Sequence, residues 1–174
     1  MTKALQPLRV GIIGAGNMGE HHMKSFMKIP GVTIIGIADA RLPRLEQLKA
    51  DYNLPYVFTN FVDLATHPEV DAICIATPNK FHAPAAIAAL EAGKHVLCEK
   101  PLARTAEEAE RMVRAAIKSG RVLKTMFNWR ERGDAQTLKR YIDDGGLGRV
   151  YYAKAYWMRR SGIPGMGGWF TSKE

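Results

Sequence analysis

The sequence predicts an α/β protein built on a doubly wound parallel sheet, followed by a truncated second α+β domain. Two observations predict it. Short apolar runs alternate with longer stretches of three- and four-residue apolar spacing from the N-terminus to about residue 126. A glycine-rich turn, Gly14-Ala15-Gly16-Asn17-Met18-Gly19, separates the first apolar run from the first such stretch.

The expected strands are 8–13, 32–38, 56–58, 72–76, 95–98 and 122–126, each short, apolar and bounded by turn residues. Parallel strands need crossovers, and 18–29, 41–52, 83–92 and 105–119 carry the helical periodicity to supply them. Six strands so connected describe a doubly wound sheet, the Rossmann arrangement, over residues 1–127.

Beyond Met126 the pattern changes. Residues 134–144 read as an amphipathic helix stopped by Gly145-Gly146, and 149–158 alternate like a half-buried strand. The stretch Ser161-Gly-Ile-Pro-Gly-Met-Gly-Gly-Trp-Phe170 is too rich in glycine to continue it. One helix and one strand cannot cover each other, so 128–174 read as the start of a substrate or oligomerisation domain and the chain as a piece of a longer protein.

Composition narrows the function classes. No apolar run approaches the roughly 18 residues of a membrane span, and Met1–Pro7 lack a secretory core, which places the protein in the cytoplasm. The net charge is +8, yet residues 1–100 contribute only +1 of it and the rest is scattered over helical positions. No nucleic-acid tract results. Cys74 and Cys98 sit in apolar runs without zinc or redox spacing, so core packing is expected and no metal site.

The glycine turn directly follows a strand and opens a helix, the context in which it binds a dinucleotide. Gly14 permits the tight turn, Gly16 lets backbone approach a pyrophosphate, and Gly19 allows helix-to-sheet packing, with Asn17 and Met18 between them. The free amides and dipole of the helix start face the phosphates. Asp39, 20 residues past Gly19, is placed to accept the ribose hydroxyls, which favours NAD because a carboxylate repels a 2′-phosphate. Arg41 leaves NADP open: it can pair with that phosphate, stack on adenine, or simply be a solvated helix-start arginine.

Two further segments carry a resemblance. Ala76-Thr77-Pro78-Asn79-Lys80-Phe81-His82 and Ala92-Gly93-Lys94-His95-Val96-Leu97-Cys98-Glu99-Lys100-Pro101-Leu102-Ala103 follow the fourth and fifth strands. They resemble the Gfo/Idh/MocA oxidoreductases, and the Glu-Lys-Pro segment is far more specific than the glycine turn. From position alone, Lys100 sits at the sheet edge where such folds bind ligands, where partial desolvation would ease loss of its proton; a solvated loop lysine paired with Glu99 is the plainer reading.

The resemblance implies that Lys100 is catalytic and lies beside the nicotinamide, that Glu99 and Pro101 shape its turn, and that Thr77 and Pro78 wall the cofactor. It implies a role at the nicotinamide end for Asn128, which otherwise reads as a turn residue. His82 either points into the same cleft or is a helix cap or hydrogen-bonded structural group. The parent would then be an NAD(P)-dependent dehydrogenase acting on a sugar, cyclitol or related polyol, and often a homo-oligomer. Relatives complete their catalytic set with a DxxxH helix that these 174 residues do not include, so the fragment is expected to be inactive.

Two other readings compete. A non-catalytic dinucleotide-sensing regulator needs the glycines and Asp39 but not Lys100, and a methyltransferase would leave the Glu-Lys-Pro turn unexplained. Tyr152, Tyr156, Trp157, Arg159 and Arg160 either line the substrate wall or form a sheet face.

Overall fold

The computed structural model describes residues 6–158 and 160. The glycine-rich stretch 161–170 and Arg159 lie outside the described residues. Contacts divide the chain after Met126 into two units.

The first unit holds six strands: β1 (Leu8–Ile13), β2 (Val32–Ala38), β3 (Tyr56–Phe58), β4 (Ala72–Ile75), β5 (His95–Cys98) and β6 (Leu123–Thr125). All neighbours pair in parallel, in the order β3-β2-β1-β4-β5-β6. This is a doubly wound sheet whose order reverses between β1 and β4, and such a switch point opens a crevice at the C-terminal strand ends. The crossovers are α1 (Asn17–Phe26), α2 (Leu42–Tyr52), α3 (Phe61–Ala65), α4 (His82–Glu91) and α5 (Ala106–Ser119).

Side-chain alternation sorts the core into two layers. Ile12 and Cys74 point to a cluster with Met23 of α1 and Leu45 and Leu48 of α2. Their neighbours Ile13, Ile73 and Ile75 point the other way, against Leu64, Ala86, Leu90 and Met112 of α3, α4 and α5. Burial on both faces is why these strands read as continuous apolar runs instead of alternating ones. Cys74 and Cys98 are free and buried, and burial pushes both thiols up to about 12, which suits packing and not redox chemistry.

Helix ends follow their local chemistry. Thr105 caps α5 by accepting from the Glu108 amide at 3.2 Å, and Gly120 ends it in the left-handed region. Helix α1 stops at Phe26, three residues before the expected end, because Ile29 precedes Pro30 and is pushed out of helical geometry. The five-residue α3 was not expected from the sequence; Asn60 caps it through the Val62 amide.

The second unit, from Phe127, contains a 3-10 turn (Asn128–Glu131) and α6 (Gly133–Asp143). Trp129 meets Trp157 edge-on with centroids 4.9 Å apart, and the Arg132 guanidinium lies 4.4 Å over the Trp129 ring. The strand expected over 149–158 does not form: these residues are extended in pattern only, and 151–158 are exposed. A strand exists through its ladder, and among the described residues none pairs with this one.

Candidate cofactor and lysine site

Three connections at the C-terminal edge of the sheet converge: β1 to α1, β4 to α4, and β5 to α5. Gly14 leaves β1 with φ of +106°, a conformation that side chains resist, and a Cβ there would lie 2.5 Å from the Ala76 carbonyl oxygen. At Gly19 a Cβ would stand 1.8 Å from the Gly14 carbonyl oxygen, so α1 can seat on the turn only without a side chain. An added Cβ at Gly16 meets no atom within 4 Å. Gly16 caps α1 without a side-chain acceptor, which leaves the first-turn amides of Asn17 and Met18 without side-chain capping.

Asp39 follows β2 and reaches back to this turn. Its Oδ2 accepts the Ala15 amide at 2.8 Å, and Arg41 pairs with the same carboxylate through Nε at 2.8 Å and Nη2 at 3.0 Å. Burial drives the Asp39 carboxyl upward, but the hydrogen bonds from Arg41 and Ala15 outweigh it and hold the group below its ordinary value.

Thr77 and Pro78 follow β4, with the Thr77 amide nitrogen 3.0 Å from where a Cβ at Gly14 would stand. The Thr77 Oγ1 and Asn79 Oδ1 atoms are buried without a hydrogen-bond partner, an arrangement that normally costs free energy. Two orphaned polar atoms in the connection that follows β4 fit a polar ligand such as a dinucleotide. With the uncapped amides as donors and Asp39 as an acceptor, the arrangement suits NAD.

Glu99, Lys100 and Pro101 follow β5, and the Lys100–Pro101 peptide is cis. Glu99 accepts from His22 Nε2 on α1 at 2.7 Å and, through Oε2, from the Lys100 amide at 3.0 Å. Burial pushes the Glu99 carboxyl up, but these two bonds prevail and hold it below the usual carboxylate range. His22 was not anticipated from the sequence; its position on the buried stripe of α1, facing a sheet edge, was the signal that could have found it.

His82 is fully buried, with Nδ1 2.8 Å from the Pro101 carbonyl oxygen and Nε2 3.0 Å from that of Thr77. It therefore joins two loops as a strut, the structural one of the two readings the sequence offered. The reason is steric: as the first residue of α4 it is turned inward between the β4 and β5 connections. Lys100 itself is exposed, so the desolvation expected of it is not present in this structure, and Glu99 bonds its backbone amide. Asn128 opens the 3-10 turn of the second unit and is exposed. Among the described residues no group of His, Cys, Asp and Glu could hold a metal ion, and no helix is long and apolar enough to cross a membrane.

The sheet order and its glycine turn define a dinucleotide-binding Rossmann domain. More narrowly, residues 8–127 match the Gfo/Idh/MocA model, an oxidoreductase family with an NAD-binding Rossmann fold, and the chain belongs to that family. It is 39% identical over 171 residues to the D-glucoside 3-dehydrogenase of Escherichia coli K12, covering 97% of this chain and 48% of that protein. Among solved structures it is similar to the WlbA dehydrogenase of Bordetella pertussis in complex with NADH and UDP-GlcNAcA, with a TM-score of 0.78 and 28% identity. That match covers 84% of this chain and 45% of the other. The scyllo-inositol dehydrogenase of Lactobacillus casei with bound NAD(H) and scyllo-inositol gives a TM-score of 0.76 at 27% identity, covering 82% and 43%. The chain thus spans about half the length of the relatives it matches. The matched family's Rossmann fold is NAD-binding.

Proposed function

We propose that this chain is the cofactor-binding part of a dehydrogenase that transfers a hydride between NAD and a carbinol or carbonyl carbon of a sugar, cyclitol or related polyol. The observation that carries the reading is the Glu99-Lys100-Pro101 turn, braced by buried histidines from two sides at the rim that holds the glycine turn. A protein that only senses dinucleotide has no use for a lysine so held. The names of the relatives, which act on glucosides and inositols, support the substrate class.

The nicotinamide, when bound, accepts or donates the hydride. Everything else falls to the protein. The first-turn amides of α1 and its dipole hold the pyrophosphate, and Asp39 accepts the ribose hydroxyls. Thr77 Oγ1 and Asn79 Oδ1 supply polar contacts, and Pro78 limits the cofactor's position. Lys100 Nζ takes the hydroxyl proton as a carbinol is oxidised and returns it in the reverse direction. The two buried free thiols suit a reducing, cytoplasmic compartment, and we take the whole protein to be a homo-oligomer on family grounds.

The test is turnover by the whole protein. NADH absorbance is followed with NAD and a panel of glucosides, inositols and aldoses, in parallel with NAD binding. Reduction with at least one polyol is expected, and loss of that activity in Lys100→Ala. Retained NAD binding without reduction on any polyol would favour a sensor, and wild-type rates in Lys100→Ala would remove the proton-transfer role.

A further inference from the structure

One row of charges crosses the N-terminal rim of the sheet, opposite the edge that carries the glycine turn. Extending the pairing of Val10 with Ala72, Ala72 with His95 and Val96 with Leu123 towards the strand starts brings Arg9, Asp71, Lys94 and Arg121 into register. The Asp71 amide donates to the Arg9 carbonyl at 2.8 Å and the His95 amide to that of Asp71 at 3.0 Å, which fixes this end of the ladder. Neighbouring strands lie about 4.8 Å apart, and residues in parallel register share a face. Here it is the face of Ile73, Val96 and Leu123, under α4 and α5.

The row sets three cations against one anion, and that anion is already engaged. Asp71 Oδ2 accepts from Arg9 N and Nε, each at 3.0 Å, and Oδ1 accepts from Arg9 Nη2 at 2.8 Å. Among the described residues neither Lys94 nor Arg121 has a side-chain hydrogen bond or ion pair. Lys94 is nonetheless only 9% exposed, and the Arg121 guanidinium lies along the turn before it, 3.9 Å from where a Cβ at Gly93 would stand. Glu91, at the end of α4, is exposed and pairs with neither. Burial pushes the Lys94 ammonium below its ordinary value; Asp71 opposes this, and Arg9 and Arg121 add to it. Like charges side by side on a sheet are destabilising, and a desolvated cation without a partner is more so. A dianion between the two relieves both, and an ammonium beside a planar guanidinium matches a phosphate.

We propose that Lys94 and Arg121 form a binding site for a phosphate group at the N-terminal rim of the sheet, independent of the dinucleotide site at the other edge. Arg121 is exposed, so the site opens to solvent and admits either the free ion or the phosphate of a small monoester.

Thermal melts of the full 174-residue chain in inorganic phosphate, in glycerol phosphate and in sodium chloride of equal ionic strength test it, with wild type, Lys94→Met and Arg121→Gln. At roughly ten times its dissociation constant, the phosphate should raise the wild-type midpoint by about 3–6 °C over chloride. Each variant should lose at least about half of that rise. Lys94→Met, which replaces the buried ammonium by an apolar side chain of similar length, should melt in chloride no lower than wild type. A rise with inorganic phosphate alone marks a site for the free ion, and a rise with glycerol phosphate one for monoesters; either supports the proposal. Equal wild-type midpoints in phosphate and chloride would overturn it, leaving the two cations to serve the C-terminal ends of α4 and α5. So would a rise that survives in both variants, which belongs to the glycine turn or to the solvent. A Lys94→Met midpoint well below wild type in chloride would also overturn it, because the ammonium would then have its partner within the chain.

Discussion

His22 and Glu99 stand 77 residues apart in sequence and meet at 2.7 Å, ring nitrogen to carboxylate oxygen. Because the other Glu99 oxygen holds the Lys100 amide, α1 sets the orientation of the turn that carries the lysine. In the whole protein, His22→Ala should lower kcat about 10- to 100-fold, the scale of a misplacement near 1 Å, with KM for NAD little changed. His22→Gln, which keeps a donor, should recover part of the loss. Steady-state kinetics with both variants checks this.

Gly16 and Gly19 separate binding from folding. A methyl at Gly16 meets no protein atom within 4 Å, so Gly16→Ala should keep its urea midpoint and lose NAD affinity. At Gly19 the same methyl would stand 1.8 Å from the Gly14 oxygen, and Gly19→Ala should cost about 1–3 kcal/mol or more as well as binding. Denaturation curves and NAD titration read the two effects independently.

Glu20 accepts from Lys24 of its own helix at 2.7 Å and ties α1 to α2 by accepting from Tyr52 at 2.8 Å and from Arg44. The Lys24 and Tyr52 hydrogen bonds, with that of Arg44, lower its carboxyl to about 2. A depressed folded value stabilises the fold above the unfolded value near 4.3 and is lost as pH falls towards 2. Thermal melts of wild type should therefore fall across that window more steeply than those of Glu20→Gln.

His82→Phe leaves the Thr77 and Pro101 carbonyls without the ring. A loss of about 1–3 kcal/mol is expected, because the carbonyl that accepts the ring N–H is left without a donor. The NAD affinity of the folded protein should change less than about threefold, as befits a strut. A larger change in affinity at unaltered stability would restore His82 to the binding residues.

Much of this was legible in the sequence because it is local. Strands β1, β2, β3 and β5 fall at the expected residues, and the glycine turn, Asp39 and Lys100 lie where spacing from a strand end puts them. What escaped depends on distance or on partners. Helix α3 is too short to display a period. The alternation over 149–158 is real, but a ladder needs a neighbour that the pattern cannot supply. His22 and His82 act through residues 77 and 19 positions away, and no window along the chain reveals which loop a buried ring will find.

The two histidine joints bear on how such a domain can be rebuilt. Loops at the rim of a parallel sheet are commonly treated as interchangeable modules on a fixed scaffold. Here α1, the Thr77 turn and the Lys100 turn are fastened to one another, so each segment carries half of a joint whose other half lies elsewhere. Grafting any one of them from a relative imports an unmatched half. The three are a single inherited part, and a chimera that respects the fold must exchange them together.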